Sequence, residues 1–158
     1  KMNFQLLSYS IQDNHFHIII KTNYEGETIS YIMKDIKFRF SRRFNMTFNR
    51  KGTFWSGRYE YEVIENSEKS HQHLLELIWY TAYNTCRAGK ISNPRMDEYG
   101  CINIYLNPNF SGGLDISFHE AFLNLGINFT ERQKKFLTIE QKNIFFLLNS
   151  KRTSRKRH

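Results

Sequence analysis

The sequence predicts an α+β protein on three observations. Two apolar stretches near the amino end are separated by the turn signal QDN at 12–14. The hydrophobic period then lengthens to that of a helix. The 158 residues include only 2 Pro and 8 Gly, too few for a disordered chain or a turn-rich all-β protein, while 14 Phe and 9 Tyr can fill one domain's core.

FQLLSYSI (4–11) and HFHIIIK (15–21) read as the two strands of a β-hairpin. TNYEGE (22–27) is a loop. From Thr28 onward, Ile29, Ile32, Met33, Ile36, Phe40 and Phe44 share one stripe of a helix, and basic residues flank it. Such a helix buries one side against a sheet and offers the other to phosphates. Gly52 and Gly57 break the next segment, and Tyr59–Ile64 alternates as a third strand. NSEKS (66–70) supplies caps for a long helix over 68–88, which Gly89 is placed to stop. Residues 90–115 read as irregular, and 116–149 as two short helices around LGINFTERQ.

Strand, strand, helix, strand, helix is the order of a ferredoxin-like split β-α-β sandwich lacking its first strand and helix. The chain starts with a lysine ahead of Met2, so the missing strand and helix are expected upstream or from another chain. The expected division is an N-terminally incomplete sandwich domain over 1–115, a helical extension over 116–149 and a basic disordered tail over 150–158.

Charge narrows the class of partner. Net charge is +8, and residues 34–58 alone carry eight Lys/Arg against Asp35. The tail KRTSRKRH adds five more without an acid, which leaves the rest of the chain net acidic. Positive charge gathered in two places suits a polyanion; the alternative is a solvated helix face plus a disordered tail. Cys86 and Cys101 lack metal-type spacing and read as reduced thiols of an intracellular protein. No apolar run approaches membrane-spanning length, and no signal peptide opens the chain.

The stretch DNHFHIIIK (13–21) carries the first chemical signal. With a period of two, His15 and His17 project to one face, where a pair of imidazoles can grip a metal ion. Plain surface exposure is the competing reading. Tyr80 and Asn84, four apart, lie one helical turn apart. A carboxamide oxygen beside a tyrosine hydroxyl could complete a site begun by two histidines, and that ligand set suits Mg²⁺ or Mn²⁺ bound with a phosphate. The alternative is that Tyr80 packs beside Leu74, Ile78 and Ala82 with Asn84 solvated.

Five segments in order resemble the HUH single-tyrosine transposases, most nearly the REP-associated tyrosine transposase branch of the IS200-like family. They are YSIQDNHFHIII (9–20), ISYIMKDIKFRFSRRFN (29–45), KGTFWSGRYE (51–60), YTAYNTCRAG (80–89) and LGINFTERQKKF (125–136). The resemblance covers most of residues 6–140 and implies the HUH endonuclease fold. It also implies a reaction in which a tyrosine attacks a phosphodiester of single-stranded DNA near a hairpin, forming a 5′-phosphotyrosine and freeing a 3′-OH. Carried over, Tyr80 is the nucleophile, His15 and His17 are metal ligands, and Asn84 is the third ligand, with Mg²⁺ or Mn²⁺ as cofactor. Tyr83 is a rival nucleophile that faces further from Asn84.

Lys37, Arg42, Arg43, Lys51, Arg58, Lys151, Arg152 and Arg155 are the expected phosphate contacts. Trp55 either stacks an unpaired base or caps the core. The expected partner is single-stranded or hairpin DNA, with no membrane; the protein would work as a monomer or homodimer in the bacterial cytoplasm, associated with the nucleoid. Three departures stand out: Asp13 and Thr85 replace prolines usual in the family, and YGCI at 99–102 lacks its Trp-Ser-Ser-Tyr segment. None removes a reactive group. They leave open a divergent transposase, a domesticated binder that no longer cuts, or a subunit of a larger nucleoprotein complex.

Overall fold

The computed structural model describes residues 3–23, 25–65 and 67–149. It is α+β, as the sequence predicts: β1 (Phe4–Ile11) and β2 (Phe16–Thr22) form a two-stranded sheet, followed by helices. The described residues divide into two compact units, one holding Thr22–Val63 with residues 3–4, the other Gln5–Lys21 and residues 64–149.

In the first unit, α1 (Ile29–Thr47) begins where Thr28 caps it, its hydroxyl accepting from the Tyr31 amide at 3.3 Å. Ile32 and Met33 of the predicted stripe are buried, but Phe40 is 44% exposed. Down the helix, Phe40, Phe44 and Phe48 pack ring on ring at 5.9 and 4.5 Å. Phe54 returns against them at 4.8 and 4.6 Å, so the segment after α1 folds back through aromatic contacts.

The predicted strand at Tyr59–Ile64 does not form; those residues have no regular secondary structure. Alternation is necessary for a half-buried strand but not sufficient, because a strand also needs a ladder partner. None of the described residues pairs with it, and Tyr61 and Val63 stand 63% and 77% exposed.

In the second unit, the Gln12 N–H donates to the His15 carbonyl at 2.9 Å and closes the hairpin. That bond sets Gln12 opposite His15, so regular pairing puts Ser10 opposite His17. The other edge of β1 is covered by irregular chain: Ser10 bridges Gly100, with the Ile11 amide on Tyr99 at 3.0 Å and the Cys101 amide on Tyr9 at 3.3 Å.

The expected long helix is present with one interruption. α2 (Glu68–Ala82) ends at Tyr83, and α3 (Asn84–Arg87) follows directly. The Tyr83 amide still reaches the Trp79 carbonyl at 3.0 Å, and Ala88 reaches Asn84 at 3.0 Å, so the Tyr80–Asn84 spacing of one turn survives. Gly89, at φ 70°, terminates the run as predicted.

The segment expected to be irregular contains a 3₁₀ turn at Pro94–Met96 and α4 (Ile102–Leu106). α5 (Glu120–Leu123) is short, whereas α6 (Phe129–Asn149) runs 21 residues, longer than its sequence pattern suggests. The core lies between α2, α5 and α6. Trp79 is fully buried, stacks on Phe136 at 4.7 Å and donates its indole N–H to the Phe136 carbonyl at 3.0 Å. Tyr105, also fully buried, lies among Phe118, Phe122 and Phe136 and donates to the Leu7 carbonyl of β1 at 2.7 Å. That bond fixes the hairpin to the helical core. The basic tail, with Lys151, Arg152 and Arg155, lies outside the described residues.

Candidate active site

The hairpin presents the histidine pair. The rings of His15 and His17 meet edge to face with centroids 5.1 Å apart, a separation from which one nitrogen of each can converge on a single ion. His15 Nδ1 lies 2.7 Å from Asn14 Oδ1. An amide oxygen only accepts, so Nδ1 carries the proton and Nε2 keeps its lone pair for a ligand.

Two contacts tie this end of the hairpin to α3 and the chain just after it. Ser10 Oγ, in the position opposite His17, lies 3.3 Å from Thr85 Oγ1, and Thr85 in turn donates to Asp97 at 2.6 Å. Asp13 pairs with Lys90 at 2.7 Å, and this hydrogen bond holds its carboxyl below the usual range. Asp13 and Thr85 thus both help to join the hairpin to α3 and the chain after it.

Tyr80 and Tyr83 occupy different environments. Tyr83 is 4% exposed and donates to Glu140 Oε1 at 2.8 Å. Burial, then the bond to Glu140, raises its pKa well above that of an ordinary phenol. Tyr80 is half-buried, and no described residue hydrogen-bonds its hydroxyl. The Arg87 guanidinium lies over its ring, 3.8 Å from the centroid, and the Phe146 ring is 6.2 Å away. Arg87 also donates to the Tyr80 carbonyl at 2.9 Å, to the Leu147 carbonyl at 2.7 Å and to Asn84 Oδ1.

Asn84 is buried, and its Nδ2 has no hydrogen-bond partner among the described residues. Its oxygen, the atom a metal would need, is held by Arg87. The histidine pair therefore fits an ion, while Asn84 does not offer its oxygen in this arrangement.

A second cluster was not legible in the sequence. His71 of α2 and His119 and Glu120 at the start of α5 bring three donor atoms within 4.8 Å of one another, a group that could hold a metal. The tautomer weighs against one. His119 Nδ1 accepts from the Ala121 amide at 3.1 Å, which leaves the proton on Nε2. The Lys21 ammonium, 3.4 Å from that Nε2, adds a competing positive charge. His15 thus keeps an unprotonated nitrogen for a ligand, whereas both nitrogens of His119 are committed.

The remaining candidates lie in the first unit. Trp55 donates its indole N–H to the Lys37 carbonyl at 3.1 Å and packs against Phe40 and Phe54, the arrangement of a cap on a small aromatic cluster. Lys37 is committed in part to the Gly57 carbonyl at 2.9 Å. Arg42, Arg43, Lys51 and Arg58 are exposed.

Residues 1–75 match the protein-family model described as "Transposase IS200 like". Over those residues the chain is similar to the IS200-like transposases. The match contains His15, His17 and the basic helix α1; Tyr80 and Asn84 lie beyond it. No curated protein and no solved structure matches the chain significantly. Among the described residues, no helix is long and apolar enough to cross a membrane.

Proposed function

We propose that this transposase-like protein cuts single-stranded DNA beside a hairpin and joins the 5′ end covalently to Tyr80, in the manner of the REP-associated branch. The observation that carries the reading is the contrast between the two tyrosines. Tyr83 is buried and held as a neutral donor to Glu140, whereas the Tyr80 hydroxyl is engaged by no described residue, on a helix whose continuation is bonded to the histidine hairpin.

In the reaction the Tyr80 oxygen bonds to phosphorus as the P–O3′ bond breaks. The phenol proton leaves to solvent, and the departing 3′ oxygen takes one up. The phosphotyrosine conserves the energy of the broken link, so rejoining requires no nucleotide cofactor. His15 and His17 would hold a divalent ion, Mg²⁺ or Mn²⁺, whose chemistry when bound is to polarise the scissile phosphate and neutralise its developing charge. Asn84 can serve as third ligand once its oxygen leaves Arg87. Arg42, Arg43, Lys51 and Arg58, with Lys37 and the tail's Lys151, Arg152 and Arg155, supply sequence-independent phosphate affinity.

The test uses an end-labelled hairpin oligonucleotide with Mn²⁺ or Mg²⁺, scored for a denaturant-stable protein–DNA adduct. The adduct should form with wild type, vanish with EDTA and vanish in Tyr80→Phe. An adduct that persists in Tyr80→Phe would move the nucleophile elsewhere. One observation favours a second reading: the Asn84 oxygen is engaged by Arg87, as in a protein that binds hairpin DNA without cutting it. Metal-independent binding with no adduct under either ion would establish that alternative.

A further inference from the structure

We propose that Arg87 is the positioning residue for the Tyr80 phenol, a role that rests on Tyr80 being the nucleophile. A tyrosine side chain pivots freely about χ1 unless its ring is packed, and the hydroxyl lies at the far end of that lever. The Arg87 guanidinium covers the Tyr80 ring at 3.8 Å. At that separation the guanidinium carbon is in contact with the ring face, where the cation is attracted to the π electrons.

The guanidinium is itself fixed. It donates to the Leu147 carbonyl at 2.7 Å, to the Tyr80 carbonyl at 2.9 Å and to Asn84 Oδ1. These acceptors belong to α6, α2 and α3, so the three helices together set one orientation of the fork. Residues 80, 84 and 87 fall on one helical face, which is why a single side chain can reach both site residues. Arg87 touches no reacting atom in this arrangement; it acts through the ring. Lysine at this position would keep the charge but could neither stack as a plane nor reach three acceptors.

The experiment measures the rate of adduct formation at saturating hairpin oligonucleotide, with Kd from fluorescence anisotropy and the melting temperature, for wild type, Arg87→Lys and Arg87→Gln. Both variants should form adduct about 100-fold more slowly, the scale expected when a reacting group is misplaced by about 1 Å. Their Kd should stay within about threefold of wild type. A wild-type rate in Arg87→Lys would overturn the proposal. So would a loss of affinity matching the loss of rate, because Arg87 would then be a phosphate contact.

A second measurement is independent of activity, and its deciding reading is made on the wild type. The Arg87 side-chain Nε–H resonance should be shifted upfield by the ring in wild type and in Tyr80→Phe, and should return toward its ordinary position in Tyr80→Leu. An unshifted resonance in wild type would show that the stack does not persist in solution and would overturn the proposal. If the resonance is shifted but wild type forms no adduct, the nucleophile assignment fails and takes this role with it, while the stack itself stands.

Discussion

The Tyr83 hydroxyl donates to Glu140 Oε1 at 2.8 Å across 57 residues of sequence, joining the end of α2 to the middle of α6. Arg95 completes the group, reaching both oxygens of the same carboxylate at 3.0 and 2.5 Å. One buried carboxylate thus keeps the nearer rival to Tyr80 occupied.

Substituting the two tyrosines should therefore have opposite consequences. Tyr83→Phe removes one donor from a buried carboxylate and should cost about 1–2 kcal/mol of stability while leaving adduct formation near wild type. Tyr80→Phe should leave stability nearly unchanged and abolish the adduct. Chemical denaturation and the adduct assay on the same two preparations separate these effects.

Glu140 itself should matter more to folding than to chemistry. Glu140→Ala strands the Arg95 guanidinium and the Tyr83 hydroxyl together, and breaking such a buried pair is costly. Because Arg95 remains about a third exposed, the loss should be about 2 kcal/mol rather than the full cost of an isolated buried charge. A urea midpoint shifted downward at unchanged m-value would match; an unshifted midpoint would contradict it.

Stability should also fall on mild acidification. Burial lowers the pKa of His119, and the Lys21 ammonium on β2 and His71 on α2 act in the same direction, against Glu120 on α5. The folded state therefore resists a proton that the unfolded chain takes up near its ordinary imidazole value of about 6.5. Stability present above that value is lost as pH falls from it toward the lowered value. Melting temperatures between pH 7.5 and 5 should decline in wild type, and His119→Asn, which retains a capping acceptor, should flatten the decline. Parallel profiles for the two proteins would refute this assignment.

DNA affinity should respond to salt through individual arginines. Arg42→Ala and Arg43→Ala should each lower the slope of log K against log salt by about one, with similar losses on unrelated sequences. A slope that does not move would remove these exposed side chains from the interface.

The sequence made the hairpin, α1 and the Gly89 stop legible because each is set by local rules: alternation around a turn signal, a 3.6-residue stripe behind Thr28, and a positive φ. The Tyr59–Ile64 strand was misread because alternation carries no information about whether a ladder partner exists. The His15–His17 pair was legible from a spacing of two. Arg87 could have been found from its place seven residues after Tyr80 and three after Asn84 on one helical face. His71 with His119, and Tyr83 with Glu140, could not, because helices that meet only in the folded core bring them together from 48 and 57 positions apart.

The bond from Arg87 to the Leu147 carbonyl gives the last turn of α6 a chemical assignment far from its place in the chain. Shortening the protein stepwise from its carboxyl end should then reveal two thresholds. Trimming back to Asn149 strips cationic side chains and weakens capture of the nucleic acid. Trimming past Leu147 unmoors the guanidinium and impairs bond-making itself, even where capture has already levelled off.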